Sequence, residues 1–323
     1  MPYAIRIQEP GGPQCMQWQS VEVGEPGPGE VRLRQTAVGL NYIDVYHRTG
    51  LYPMEPPFTP GMEAAGVVEA VGPGVSDLKV GDRVAYAMVF GSYAQERLVP
   101  ADKMVKIPDS IDDQTAAAMM LQGMTVEYLI RRTYPVKAGD TVLFHAAAGG
   151  VGLIFCQWAR HIGATVIGTV GSEEKAELAR AAGCEHVVLY RQESFVDKVK
   201  EVTNGVGVPV VYDGVGKDTF MDSLDCLRTR GLMVSFGNAS GPVDSFNLGI
   251  LAPKGSLYVT RPTLASYNTT RAELEESSGA LIDVVASGAV ELSVNQSFPL
   301  QDAAVAHIAL ESRQTTGQTV LIP

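Results

Sequence analysis

The stretch Thr141–Arg160, TVLFHAAAGGVGLIFCQWAR, limits the possible folds of this chain more than any other. It opens with an apolar run of strand length, Thr141 to His145, and continues into a turn of small residues, Ala146 to Gly150. Val151, Ile154, Phe155 and Trp158 then recur at helical spacing. Strand, glycine turn and helix in that order direct several backbone N–H groups and a helix N-terminus at one point. Amides and helix dipole both favour an anion there, and a pyrophosphate suits the place. Gly149 lets backbone approach the phosphates, and Gly152 lets the helix pack on the strand. The fingerprint G-x-G-x-x-G reads here as Ala147-Ala148-Gly149-Gly150-Val151-Gly152, with alanine at the first glycine position. Such a turn also occurs without a ligand, so its surroundings decide.

Those surroundings alternate. Strands are expected at Ala164–Val170, His186–Tyr190, Val208–Asp213, Leu232–Phe236 and Ser256–Thr260, with helices at Glu173–Ala182, Ser194–Val202 and Thr219–Leu227. With Thr141–His145 this predicts an α/β fold, a Rossmann doubly wound parallel sheet with helices on both faces. Ligands of such sheets lie across the carboxyl ends of the strands. An NAD site carries a carboxylate at the tip of the second strand, to grip the ribose 2′-OH. Here that tip reads Thr169-Val170-Gly171-Ser172, without one. Ser172, Lys175 and Tyr190 suit a 2′-phosphate instead, so NADPH is favoured. Glu173 and Glu174 count against it, unless they are first-turn residues placed by the helix dipole. Loops after later strands, Phe236-Gly237-Asn238 and Val259-Thr260-Arg261-Pro262, belong at the nicotinamide half.

Residues 1–120 read as β-rich. Short runs at Ala4–Gln8, Val31–Ala37, Ala64–Ala70, Arg83–Ala87 and Ala94–Val99 are separated by Gly/Pro turns, the pattern of a small barrel or sandwich. Two segments there carry chemistry. Asn41 to Tyr46 with Leu51-Tyr52-Pro53 sets one amide beside three phenols, groups that bond a carbonyl while offering flat faces to a ring. Gly61-Met62-Glu63-Ala64-Ala65-Gly66 has glycines for close backbone approach, and Glu63 reads as satisfying its neighbours. At the far end, Ala272–Ser287 and Gln301–Glu311 read as helices, Val290–Pro299 as extended and Thr319–Ile322 as a last strand. This return is too small for a core of its own and is expected to fold onto the N-terminal domain. Arg313, in the loop before the last strand, has the reach to meet a phosphate.

Whole-chain properties exclude several classes. At 323 residues the chain exceeds the roughly 250 that one core fills, so two domains are expected. A net charge of −11 speaks against nucleic acid or an anionic membrane as partner. No apolar run reaches the ~18 residues of a membrane span, and the N-terminus lacks a secretion signal, so a cytoplasmic location is expected. Four scattered cysteines give neither a zinc ribbon nor a disulfide framework.

At this point the chain resembles the medium-chain dehydrogenase/reductase superfamily, and within it the zinc-independent quinone oxidoreductases related to ζ-crystallin. The resemblance spans the full length. It is carried by Gly139-Asp140, Leu143, Ala147 to Gly150 and Gly152, with Gln157 and Arg160, and by Gly61-x-Glu63-Ala64-Ala65-Gly66, Gly81-Asp82-Arg83-Val84 and Ser235-Phe236-Gly237-Asn238. It implies a GroES-like β-rich catalytic domain, residues 1–124 and 264–323, split around a Rossmann domain, residues 125–263. It also implies a homodimer that uses NADPH. By resemblance Gly149, Gly150, Val151, Gly171, Ser172, Lys175, Tyr190, Phe236, Asn238 and Arg313 hold the cofactor, while Asn41, Tyr46, Tyr52 and Tyr128 line the nicotinamide or substrate region. The zinc-dependent branch has cysteine where this chain has Asn41 and Gly-His-Glu where it has Gly61-Met62-Glu63, so no metal is expected. One departure is Gly214, where close relatives carry serine. The expected reaction is reduction of a quinone by NADPH. An enoyl or alkenal reductase on the same scaffold is the alternative, and a non-catalytic binding role is a rival of another class.

Overall fold

The computed structural model describes residues 1–323, which divide into two units. Met1–Met124, Asn268–Ala286 and Leu292–Pro323 form the first; Thr125–Tyr267 and Ser287–Glu291 form the second.

The first unit begins with an antiparallel ribbon of β1 (Tyr3–Ile7) and β2 (Met16–Ser20). Its main sheet contains β3 (Glu30–Gly39), β4 (Glu63–Val71), β5 (Arg83–Ala87), β6 (Glu96–Pro100) and β7 (Val105–Lys106), all paired antiparallel. Helix α1 (Tyr42–Thr49) follows β3, and α2 (Asp113–Glu127) follows β7 and runs to the unit boundary. Ile5, Val31, Leu33, Tyr86 and Leu321 belong to one buried cluster beneath these strands.

Neither helix is anticipated by the residue pattern, which reads this region as β-rich. Helix α1 is short and is made by its ends: Asp44 Oδ2 accepts from the Asn41 N–H at 2.9 Å, Asp44 N donates back to the Asn41 carbonyl at 3.0 Å, and Gly50 closes it at φ 81°. In α2, Ala116 to Met120 are each no more than 1% exposed. A helix covered on every side shows no polar stripe, and its periodicity is hidden.

The second unit is a six-stranded parallel sheet of β8 (Thr141–Phe144), β9 (Thr165–Val170), β10 (His186–Leu189), β11 (Val208–Asp213), β12 (Leu227–Ser235) and β13 (Tyr258–Thr260). They lie in the order β10-β9-β8-β11-β12-β13, that of a dinucleotide fold. Helices α3 (Gly150–Ile162), α4 (Glu173–Ala181), α5 (Phe195–Val202) and α6 (Phe220–Leu224) connect them. Each of five strands contributes to one core, through Leu143, Ile167, Val188, Val211 and Met233. Strand β11 is buried along its whole length, as a central parallel strand must be. Burial of each such side chain stabilises by about 1.5–3 kcal/mol.

After the short α7 (Leu264–Tyr267), α8 (Arg271–Ala286), β14 (Val294–Pro299), α9 (Ala303–Glu311) and β15 (Gln318–Ile322) complete the chain. β15 pairs antiparallel with β3, through Val320–Gly39 and Leu321–Val38, and parallel with β14.

Candidate active site

In the second unit, the turn after β8 is where the sequence leads a phosphate to be expected. Ala146 takes the left-handed conformation, φ 58°, and turns the chain out of the strand. Gly149 stands at the N-cap of α3 and brings no side chain to cap it. A Cβ on Gly152 would lie 2.5 Å from the Ala146 carbonyl oxygen and 2.6 Å from that of Ala147. Gly152 therefore packs on the turn itself, not on the strand as expected. The alanine at the first glycine position is also explained: a Cβ on Gly168, across on β9, would come within 2.6 Å of the Ala147 methyl. The missing glycine is compensated on the neighbouring strand.

At the carboxyl ends of β9 and β10, paired through Val170–Leu189, the structure brings Gly171, Ser172, Lys175 and Tyr190 together. Ser172 caps α4 and accepts from the Lys175 amide at 3.4 Å. A Cβ on Gly171 would sit 3.1 Å from the Tyr190 hydroxyl, so the phenol lies directly over the glycine. Glu173 is turned onto Arg180 at 2.7 Å, which offsets half of the acidic pair that argued against a 2′-phosphate.

Three loops after β11, β12 and β13 are tied together. Asp213, buried, accepts from the amides of Val215 (2.7 Å) and Gly216 (3.0 Å) and from the Thr219 hydroxyl (2.8 Å). Arg261 donates to the carbonyls of Ser235 (2.9 Å) and Gly237 (3.0 Å). With its amide oriented to suit its neighbours, Asn238 donates to Gly237 O and accepts from Arg261, both at 3.0 Å. A Cβ on Gly214 would lie 3.1 Å from the Phe236 ring, so a serine there would press on that ring. Tyr128 starts the π-helical turn Tyr128–Thr133 and stacks on Tyr267 with ring centres 4.5 Å apart. Burial pushes its hydroxyl well above the usual phenol range.

In the first unit, Asn41, Tyr46 and Tyr52 gather around α1. Asn41 is the N-cap, Tyr46 lies one turn on, and Tyr52 follows the closing glycine with its ring 5.2 Å from that of Tyr46. Arg313 takes φ 61° after α9, and its charge lowers the titration of the Tyr42 hydroxyl, which burial raises. The Asn41 Nδ2 donates to Glu63 Oε2 at 2.7 Å, and Asn41 Oδ1 accepts from Gln122 Nε2 at 3.1 Å. Glu63 Oε1 accepts from the Leu121 amide at 2.7 Å. Burial lifts the Glu63 carboxyl to about 8, while the N–H groups of Asn41 and Leu121 pull it down. Sequence reasoning missed Gln122, and it reached Arg261 only as part of the loop Val259-Thr260-Arg261-Pro262. Nothing local marks either, because each acts through partners far along the chain.

The strand order and the glycine turn that opens α3 are those of a class, the oxidoreductases that bind a nicotinamide dinucleotide. Residues 27–109 match the family described as alcohol dehydrogenase GroES-like domain, and residues 150–279 match zinc-binding dehydrogenase. A quinone oxidoreductase of Salmonella typhimurium is 54% identical over 99% of each chain, and a 2-haloacrylate reductase of a Burkholderia species is 51% identical over 100% of this chain and 99% of its own. The crystal structure of Escherichia coli quinone oxidoreductase complexed with NADPH matches with a TM-score of 0.98 at 50% identity, covering 99% of this chain and 100% of the other. The chain belongs to the quinone oxidoreductase family of the medium-chain dehydrogenase/reductase superfamily.

Zinc, which one matching description names, does not fit the residues present. An amide at position 41 and a thioether at position 62 are not usual zinc ligands, and both oxygens of Glu63 already accept hydrogen bonds.

Proposed function

We infer that the chain is an NADPH-dependent quinone oxidoreductase that works without a metal. The observation that carries this reading is the 2′-site, where Ser172, Lys175, Tyr190 and Gly171 meet at the ends of β9 and β10 with no carboxylate at the strand tip. The full-length likeness to an NADPH-bound quinone oxidoreductase supports it.

The residues then take the following parts. The N-terminus of α3, with Gly149, Gly150 and Val151, holds the pyrophosphate; Gly171, Ser172, Lys175 and Tyr190 hold the 2′-phosphate; Phe236 and Asn238 serve the nicotinamide half. NADPH, when bound, supplies two reducing equivalents, and a proton from water completes the hydroquinone. Asn41 and Tyr52 polarise the quinone oxygen, and the ring of Tyr46 beside them provides an apolar wall. A quinone is already electrophilic, so position and orientation supply most of the acceleration.

The 2-haloacrylate reductase relative favours a second reading, reduction of an activated C=C bond. Steady-state NADPH oxidation with a benzoquinone and with an α,β-unsaturated acid or ketone separates the two. The first reading expects kcat/KM to be larger for the quinone, and a larger value for the alkene replaces it. The proposal extends to a cytoplasmic homodimer. No helix is long and apolar enough to cross a membrane, and the edge strand β13 leaves Tyr258 exposed. Light scattering that returns the monomer mass of 34.4 kDa would remove the dimer.

A further inference from the structure

The Asn41 carboxamide is held from two sides by groups that the reading above does not use. Glu63 comes from β4, Gln122 from α2, and Asn41 from the N-cap of α1. The place is built for the carboxyl: a Cβ on Gly39 of β3 would collide with Glu63 Oε2, so only glycine leaves room there. Glu63 and Asn41 are buried, as is Gln122.

The polarity of this set is fixed at one end. The Leu121 N–H belongs to the helix backbone and cannot rotate, so Glu63 Oε1 must accept. Glu63 Oε2 accepts from Asn41 Nδ2, and Asn41 Oδ1 accepts from Gln122 Nε2. An amide offers two N–H donors and two lone pairs. One N–H is committed to Glu63, and the carboxamide oxygen serves Gln122 and the capping box with Asp44, which leaves the second Nδ2 hydrogen of Asn41 in a defined direction.

We propose that Glu63 and Gln122 are positioning residues for the reaction, fixing the Asn41 carboxamide so that its second N–H meets the oxygen of the substrate. This rests on the reading of Asn41 as a substrate contact. An isosteric change makes the claim specific. In Glu63→Gln the oxygen of the new amide must face Leu121 N–H, so its NH2 faces Asn41. Asn41 then turns over, and its oxygen replaces the N–H that faced the substrate.

The test is a double-mutant cycle on quinone reduction, run above the value of about 8 to which burial lifts Glu63 so that the native carboxylate is ionised. Glu63→Gln is expected to lower kcat/KM about tenfold, the worth of one hydrogen bond to the reacting oxygen, with the NADPH Kd unchanged. In the Asn41→Ala background the same change is expected to have no further effect, whereas a merely structural loss would persist. Should Glu63→Gln fail to fold, Gln122→Ala completes the cycle, with a smaller loss that also vanishes in Asn41→Ala. Losses that add fully in the double variants, or no loss in either single variant while Asn41→Ala is impaired, overturn the positioning role and leave Asn41 as a contact. An active Asn41→Ala overturns the contact, and the positioning role with it.

Discussion

In the proposed function the two units contribute in opposite ways. In the second, the chemistry lies in the backbone of a few consecutive residues: Ala146 turns the chain, Gly149 opens the helix, and Gly152 lets the helix meet the turn. In the first, it lies in side chains drawn from distant segments, Asn41, Glu63 and Gln122, joined by buried hydrogen bonds. A local backbone site can lose one expected glycine and recover it on the next strand, as Ala147 and Gly168 show. A side-chain set tied across three elements has less latitude, because each partner's donor or acceptor role is dictated by the next.

This contrast can be broken by measurement. The largest effect is expected from Gly152→Val. Its Cβ would strike two carbonyl oxygens that the turn cannot move without losing shape. A cost of about 3 kcal/mol corresponds to a rise of roughly a hundredfold in the NADPH Kd, readable by fluorescence titration. An unchanged Kd would place the phosphates elsewhere. Lys175→Ala is expected to be more selective, with about a tenfold weaker Kd for NADPH and little change for NADH. Equal losses for both cofactors would remove Lys175 from the 2′-site.

The smallest effect concerns the first unit's stability rather than its chemistry. Burial, helped by the Arg48 charge, pushes the His307 imidazole down to about 3. The unfolded chain takes up this proton near its ordinary value of 6.5, so stability falls as pH drops from 6.5 through about 3, and the residue costs nothing above that window. Asp44, raised to about 7 by burial, acts in the opposite sense: its contribution falls as pH rises from 3.8 through about 7. Comparing urea midpoints of the native chain and His307→Gln separates them. The variant should show a flatter acid decline, by ~1 kcal/mol in the lower half of the window. Parallel declines would mean that His307 is not held neutral.

The same contrast explains what could be read from the sequence. The parallel sheet was legible because each strand–helix repeat carries its own periodicity, and β11 falls at Val208–Asp213 as the apolar run predicts. NADPH as the cofactor was legible from a missing carboxylate at the tip of β9. Helix α2 was not, because burial all round erases the stripe that marks a helix, and Gln122 on it therefore had no visible address. Glu63 could be named from sequence as satisfying neighbours, but not which ones. Arg261 was visible only as part of a loop. It reaches back to Ser235 at the end of β12 and to Gly237 on the loop that follows.

The most direct measurement is a single turnover in the presence of a metal chelator. Protein pre-mixed with one equivalent of NADPH is mixed rapidly with excess benzoquinone, and the nicotinamide absorbance is followed. The account predicts full first-order loss of NADPH at a rate the chelator does not alter. No loss beyond the uncatalysed rate, or loss that returns only when zinc is added back, would contradict it.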